Sequence, residues 1–349
     1  MMTAAAVETV TLAPAYRIPR VIRGGWQLAG DHGPVERHRA IADMAAFLAA
    51  GFNTVDGADI YTGVEDMYGE FNAHQRAAGL ATMQVHTKCV PDYADLDQLD
   101  AADLRRTITR SLQRLRTDRL DLVQFHWWDY SRGNYLEAAA ALQQMQQEGL
   151  IARIGGTNFD TAHARALIEA GVSLTSMQTQ YSLLDRRPRT GLADLAAQHG
   201  MHLLCYGTLA GGFLTEHWLG QSEPVQTLTN RSLVKYQLII DEFGGWNAFQ
   251  ALLRALKTIA DRHGVSLSSV AVRWVLDQPG VAAAIVGARY ADKLASTLEV
   301  FSFQLTQADH ALIAPLLAAA PGPAGEPYSL ERDKTGRHGR IMKYELNKT

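Results

Sequence analysis

Short apolar or β-branched runs alternate along this chain with stretches in which apolar residues recur every three or four positions. The short runs fall at residues 20–24, 54–58, 84–89, 122–127, 152–157, 176–180, 202–207 and 283–287, and they predict eight strands. Most begin about thirty positions apart, the length of one βα unit. The stretches between them predict amphipathic helices. Ile41, Met44, Ala45 and Leu48 follow i, i+3, i+4, i+7, and Leu104, Ile108, Leu112 and Leu115 form a similar stripe. Gly51, Gly79, Gly149, Gly171 and Gly200 each close a helical stretch ahead of a strand. A residue without Cβ suits the left-handed position that ends a helix.

Near-continuous apolar strands such as 122–125 imply a parallel sheet buried on both faces. Eight of them alternating with helices predict an α/β fold, a closed (β/α)8 TIM barrel in one domain over residues 16–320. An open doubly wound sheet is the competing architecture. It calls for G-x-G-x-x-G after the first strand, and Gly24-Gly25-Trp26-Gln27-Leu28-Ala29-Gly30 lacks that spacing. The rhythm breaks once, over about 75 residues between Gly207 and Ala283. Residues 246–263 and 266–277 read as helices, whereas 208–245 is glycine-rich and polar without clear periodicity. Residues 321–349, with Pro321, Pro323 and Pro327 and then a basic run, read as an irregular tail.

Composition narrows the function classes. The 349 residues are 47% hydrophobic and 20% charged, which excludes a disordered chain. Lys and Arg number 33 against 36 Asp and Glu, a net −3 that offers no electrostatic case for nucleic acid or an anionic membrane. Cys89 and Cys205 are the only cysteines, so no disulfide framework exists. No long apolar run predicts a membrane span, and the first residues lack a basic signal-peptide region, so a cytoplasmic location is expected.

In a barrel of this kind the active site lies where the strands end. Asp56 ends the second predicted strand, with Asp59 and Tyr61 just beyond; Lys88 ends the third, His126 the fourth and Thr157-Asn158 the fifth. Gln178 lies on the sixth, Tyr206 ends the seventh, and Gly287-Ala288-Arg289 follow the eighth. Taken singly, each has a bland role: Asp56 and Lys88 as a buried ion pair, Tyr61 as rim packing, His126 as a core histidine. Gathered at one mouth, they form a titratable cluster. A phenol with an ordinary pKa of about 10 is a weak acid, and a neighbouring ammonium is expected to lower it by roughly 1–3 units. Asp56 would orient Lys88, and His126 would donate a hydrogen bond to a substrate oxygen. That set makes a general acid for a carbonyl.

Reduction needs a hydride carrier. Phosphate sites in such barrels often follow strands seven and eight. Gly207-Thr208-Leu209-Ala210-Gly211-Gly212 offers close backbone approach to a pyrophosphate, and Arg289 and Lys293 suit a 2′-phosphate. Tyr206 offers a stacking face, and Asn158 and Gln178 offer amide partners for a carboxamide. Plain turn chemistry would account for any one of the glycines equally well.

These segments resemble the aldo-keto reductase superfamily over about residues 20–317. Asn53-Thr54-Val55-Asp56-Gly57-Ala58-Asp59-Ile60-Tyr61 is similar to the family's Asp-x-x-x-x-Tyr signature. Val85-His86-Thr87-Lys88 and Leu122-Val123-Gln124-Phe125-His126-Trp127 resemble its lysine and histidine strands. Ile154-Gly155-Gly156-Thr157-Asn158-Phe159 and Cys205-Tyr206-Gly207-Thr208-Leu209-Ala210-Gly211-Gly212 resemble two of its cofactor segments. The resemblance implies a tetrad of Asp56, Tyr61, Lys88 and His126, with Tyr61 as proton donor, and hydride transfer from the reduced form of NADP (or NAD) to an aldehyde or ketone without a metal. It implies cofactor contacts from Thr157, Asn158, Gln178, Tyr206, Gly207, Leu209, Gly211, Gly287, Arg289, Lys293 and Thr297, and a substrate pocket lined by Trp26, Trp127 and Trp128. Two places depart from the family pattern: Gly207-Thr208 where Ser-Pro is common, and Ser296-Thr297 where Glu-Asn is common. The partner implied is a small carbonyl or alcohol. A cofactor-binding regulatory subunit is the competing function, since the family includes channel-associated members. A metal-dependent hydrolase lacks its His-x-His signature here.

Overall fold

The computed structural model describes residues 6–29, 33–224, 228 and 230–347. An antiparallel hairpin, β1 (Thr9–Ala13) and β2 (Tyr16–Pro19), precedes eight parallel strands. These are β3 (Val21–Gly24), β4 (Thr54–Asp56), β5 (Gln84–Cys89), β6 (Leu122–His126), β7 (Ile154–Thr157), β8 (Leu174–Gln180), β9 (His202–Tyr206) and β10 (Val281–Gly287). They close into a barrel in the order β10-β3-β4-β5-β6-β7-β8-β9, so the closed architecture holds and the open sheet does not. Each predicted strand corresponds to an observed one within a few residues.

Strand alternation sorts the core into two layers. On β6, Val123 and Phe125 pack toward the helices, whereas Leu122, Gln124 and His126 belong to the barrel interior. The lower interior is apolar. Ile22, Leu122, Leu204 and Ile285 meet Leu12, Tyr16 and Ile18 of the hairpin, which thereby forms the barrel floor. The eight-strand reading has no place for this hairpin. The upper interior is polar, with Asp56, Lys88, Gln124 and Gln178 joined by hydrogen bonds.

The segment read as irregular contains a helix, Arg231–Phe243. Asn230 caps it, its side-chain oxygen accepting from the backbone N–H groups of Ser232 and Leu233 at 2.9 and 3.3 Å. Its buried face is Tyr236, Ile239, Ile240 and Phe243, an i, i+3, i+4, i+7 stripe hidden at the end of a polar run. The next two helices, Gly245–His263 and Leu267–Leu276, fall where the periodicity puts them. Among the described residues no helix is long and apolar enough to cross a membrane.

After Pro321 the chain returns over the barrel mouth and carries one short helix, Ser329–Arg332. Glu331 is its anchor. The carboxylate lies 3.3 Å from Arg187 and 3.5 Å from Lys235, and Arg187 also pairs with Asp185 at 2.7 Å. Burial pushes the Glu331 carboxyl up, but the Lys235 and Arg187 charges outweigh it and hold the carboxyl at about 2. Farther on, Tyr344 packs on Tyr93 and Trp128, and Asn347 donates to the Val90 carbonyl at 2.7 Å.

Candidate active site

Asp56 is the last residue of β4, and its carboxylate is the hub of the polar upper interior. Lys88 Nζ donates to both Asp56 oxygens, at 2.8 and 2.9 Å, and to the Gly57 carbonyl at 2.7 Å. Gln178 Nε2 donates to Asp56 at 2.6 Å and Gln124 Nε2 at 3.4 Å. The loop after β3 closes on this strand end because Gly25 has no side chain. Its N–H donates to the Asp56 carbonyl at 2.8 Å, and a Cβ there would lie 2.5 Å from that oxygen.

Tyr61 lies in the loop after β4. A turn holds it, with its N–H on the Ala58 carbonyl at 3.0 Å and its own carbonyl accepting from Val64 N–H at 3.0 Å. Lys88 Nζ is 5.0 Å from the centre of the Tyr61 ring, and the Trp26 ring is 5.0 Å away. The lysine was expected to lower the phenol's pKa. The direction is the opposite: burial pushes the Tyr61 hydroxyl well above the usual range, and Asp56 and then Asp59 add to it. Lys88 spends its charge on Asp56, so the phenol stays protonated.

His126 also departs from expectation. Its Nδ1 lies 3.2 Å from the Thr157 carbonyl, which can only accept, so Nδ1 carries the proton. Burial, then the Arg332 and Lys88 charges, push the ring down to about 3 against the bond to Thr157, so it is neutral. Nε2 is therefore an acceptor rather than a donor, and it is buried without a partner. Trp128 stands edge-on to this ring, centroids 4.4 Å apart.

One cavity of about 1100 Å³ opens above these groups. Asp56, Tyr61, Lys88 and His126 all line it, as do Trp26 and Trp128. Trp127 does not, which corrects its assignment to the pocket. It shares strand parity with Val123 and Phe125 and turns away from the barrel. Its ring packs on Phe125 at 5.8 Å, and its indole N–H donates to the carbonyls of Asp129 and Arg132.

The same cavity is lined by Thr157, Asn158, Gln178, Tyr206, Gly207, Leu209, Gly211, Gly287, Arg289, Lys293 and Thr297. Tyr206 donates to Asn158 Oδ1 at 2.8 Å, fixing the ring and the amide together. Gly207 sits at φ +70°, and a Cβ there would fall 2.1 Å from the Tyr236 hydroxyl. The helix Arg231–Phe243 thus packs directly on the loop after β9. Thr297 Oγ1 donates to the Lys293 carbonyl at 2.8 Å, so its hydroxyl is committed within its own turn. Arg231, Lys235 and Tyr328 also line the cavity and escape a reading by strand ends. The Tyr236 stripe was a usable signal for the first two. No periodicity brings Tyr328 back to the mouth.

The model of the aldo/keto reductase family matches residues 20–318. The chain is 34% identical to flagellar radial spoke protein 5 of Chlamydomonas reinhardtii over 45% of its own length and 33% of that protein's. It is 31% identical to protein tas of Escherichia coli over 62% of its own length and 66% of the relative's. It therefore spans about a third of the first relative and just under two thirds of the second. Among solved structures, a glycerol dehydrogenase from Gluconobacter oxydans superposes with a TM-score of 0.74 at 26% identity, covering 93% of this chain and 98% of that one.

Proposed function

The chain belongs to the aldo/keto reductase family, and from that premise we propose that it interconverts a small aldehyde or ketone and the corresponding alcohol, using NADP in preference to NAD. One observation carries the reading: a phenol held protonated by burial lines the same cavity as a buried Lys88–Asp56 pair and a neutral imidazole.

The donor set along the cavity fits a nicotinamide dinucleotide. Tyr206 offers an aromatic ring, Asn158 and Gln178 offer amides, and Arg289 and Lys293 add two cations to the same lining. Bound there, the reduced nicotinamide supplies the hydride that the carbonyl carbon receives. The protein supplies the rest. Tyr61 gives its phenolic proton to the carbonyl oxygen, and Lys88 beside the ring offsets the phenolate that remains. His126 Nε2 accepts a hydrogen bond from the new hydroxyl and orients it. Trp26 and Trp128 wall the pocket and exclude water.

NADPH oxidation measured against a panel of aldehydes and ketones tests this. Turnover that depends on Tyr61 supports it. Tight cofactor binding with no turnover of any carbonyl sinks it.

A further inference from the structure

Tyr328 lines the cavity alongside Tyr61 and His126, yet it takes no part in the proton transfer just described. It is 4% exposed, and its hydroxyl has no hydrogen-bond partner among the described residues. Its ring stands edge-on to His126, centroids 5.6 Å apart at 87°. The backbone sits at φ +64°, a conformation that an aromatic residue rarely adopts and that persists only where neighbours over-determine it.

The neighbours do so here. Three residues on, Glu331 is held by Arg187 and Lys235. Arg332 donates to the Trp127 carbonyl at 3.1 Å and the Asn158 carbonyl at 2.7 Å. The tail therefore fixes a phenol beside the imidazole that faces the reacting oxygen. The hydroxyl is open to the cavity that the residue lines, where a ligand group can take its hydrogen bond.

We propose that Tyr328 is a specificity-determining residue that hydrogen-bonds a hydroxyl on the carbon next to the reacting carbonyl. The substrate class is then small α-hydroxy carbonyl compounds and, in the reverse direction, vicinal diols. Asp185, Arg187, Lys235 and Glu331 balance two charges against two, whereas Arg332 gives only Nη2 to backbone carbonyls and keeps Nε and Nη1 buried without a partner, so an anionic substrate is the competitor the test must include. The inference rests on the reductase reading of the site.

The test compares hydroxyacetone, butanone and pyruvate. The first two differ by O–H in place of a methyl, and the third carries a charge. The wild-type protein should favour hydroxyacetone in kcat/KM by roughly tenfold or more over both, the worth of one well-made hydrogen bond. Tyr328→Phe keeps the ring and should bring the hydroxyacetone-to-butanone ratio to about unity. Ligand-observed NMR titration with hydroxyacetone and butanone, without turnover, should show the same change in relative Kd. An unchanged ratio in Tyr328→Phe, or a wild-type preference for pyruvate, overturns the inference. Failure of the wild-type protein to reduce any carbonyl overturns the reductase reading with it, whereas turnover without a hydroxyl preference overturns this inference alone.

Discussion

Lys88 Nζ bonds both oxygens of Asp56, and each side chain is almost wholly buried. Desolvation offsets most of the attraction within such a pair, but removing one partner strands the other charge. Lys88→Met should therefore destabilise the protein by about 3–5 kcal/mol in urea unfolding. Adding Asp56→Asn should recover much of that loss without recovering activity. A double variant as unstable as the single one would show that charge pairing is not what Lys88 contributes.

Tyr61→Phe removes only an oxygen. Carbonyl reduction should fall by roughly 10²–10⁴-fold, the usual worth of a general acid, while NADPH affinity measured by fluorescence titration holds. Near-normal turnover would take Tyr61 out of the proton-donor role.

Arg289 and Lys293 are separated by one turn after β10 and share the cavity wall. Replacing both with alanine should weaken NADPH by roughly tenfold more than NADH, because only the former carries the 2′-phosphate. Equal losses for the two nucleotides would mean that neither side chain meets that group.

Two buried histidines predict acid sensitivity. His86 and His126 are both pushed down to about 3, by burial first and then by neighbouring cations. In the unfolded chain each returns to about 6.5. The unfolded state thus binds more protons below that pH, and stability is lost as pH falls from about 6.5 toward 3, at up to ~1.4 kcal/mol per pH unit for each ring. His86 lies below the catalytic layer, bonded to Tyr16 at 3.1 Å. His86→Gln should flatten the slope of urea-derived stability between pH 7 and 4 by about one proton. For activity, no histidine inflection from His126 should appear between pH 5 and 8.

Glu331→Gln leaves the Arg187 and Lys235 charges short of a partner in a buried setting. The expected result is a loosened tail, read as faster tryptic cleavage near Arg332 at unchanged protease concentration. An unaltered digestion rate would show that the ion cluster does not hold the tail down.

Much of this was legible along the chain. The repeating strand, helix and glycine pattern reports local requirements, burial on both faces of a strand and release at a helix end, and these act within a few residues. Asp56, Lys88 and His126 were readable because a parallel barrel presents every strand end at one mouth. The hairpin of Thr9–Ala13 and Tyr16–Pro19 was not, since its apolar residues find their partners on strands scattered through the whole chain. Trp127 was misplaced by one step of strand parity.

By itself, then, the order of residues determined the alternating architecture and the chemical groups available at the mouth, because periodicity and strand order are properties of the chain. Which charges cancel, which ring nitrogen keeps its proton, and how far burial raises the Tyr61 phenol depend on distances between residues far apart in sequence. The return of Tyr328 to the site depends on ion pairs between a tail, a loop and a helix. Those are facts of packing, and only the folded molecule decides them.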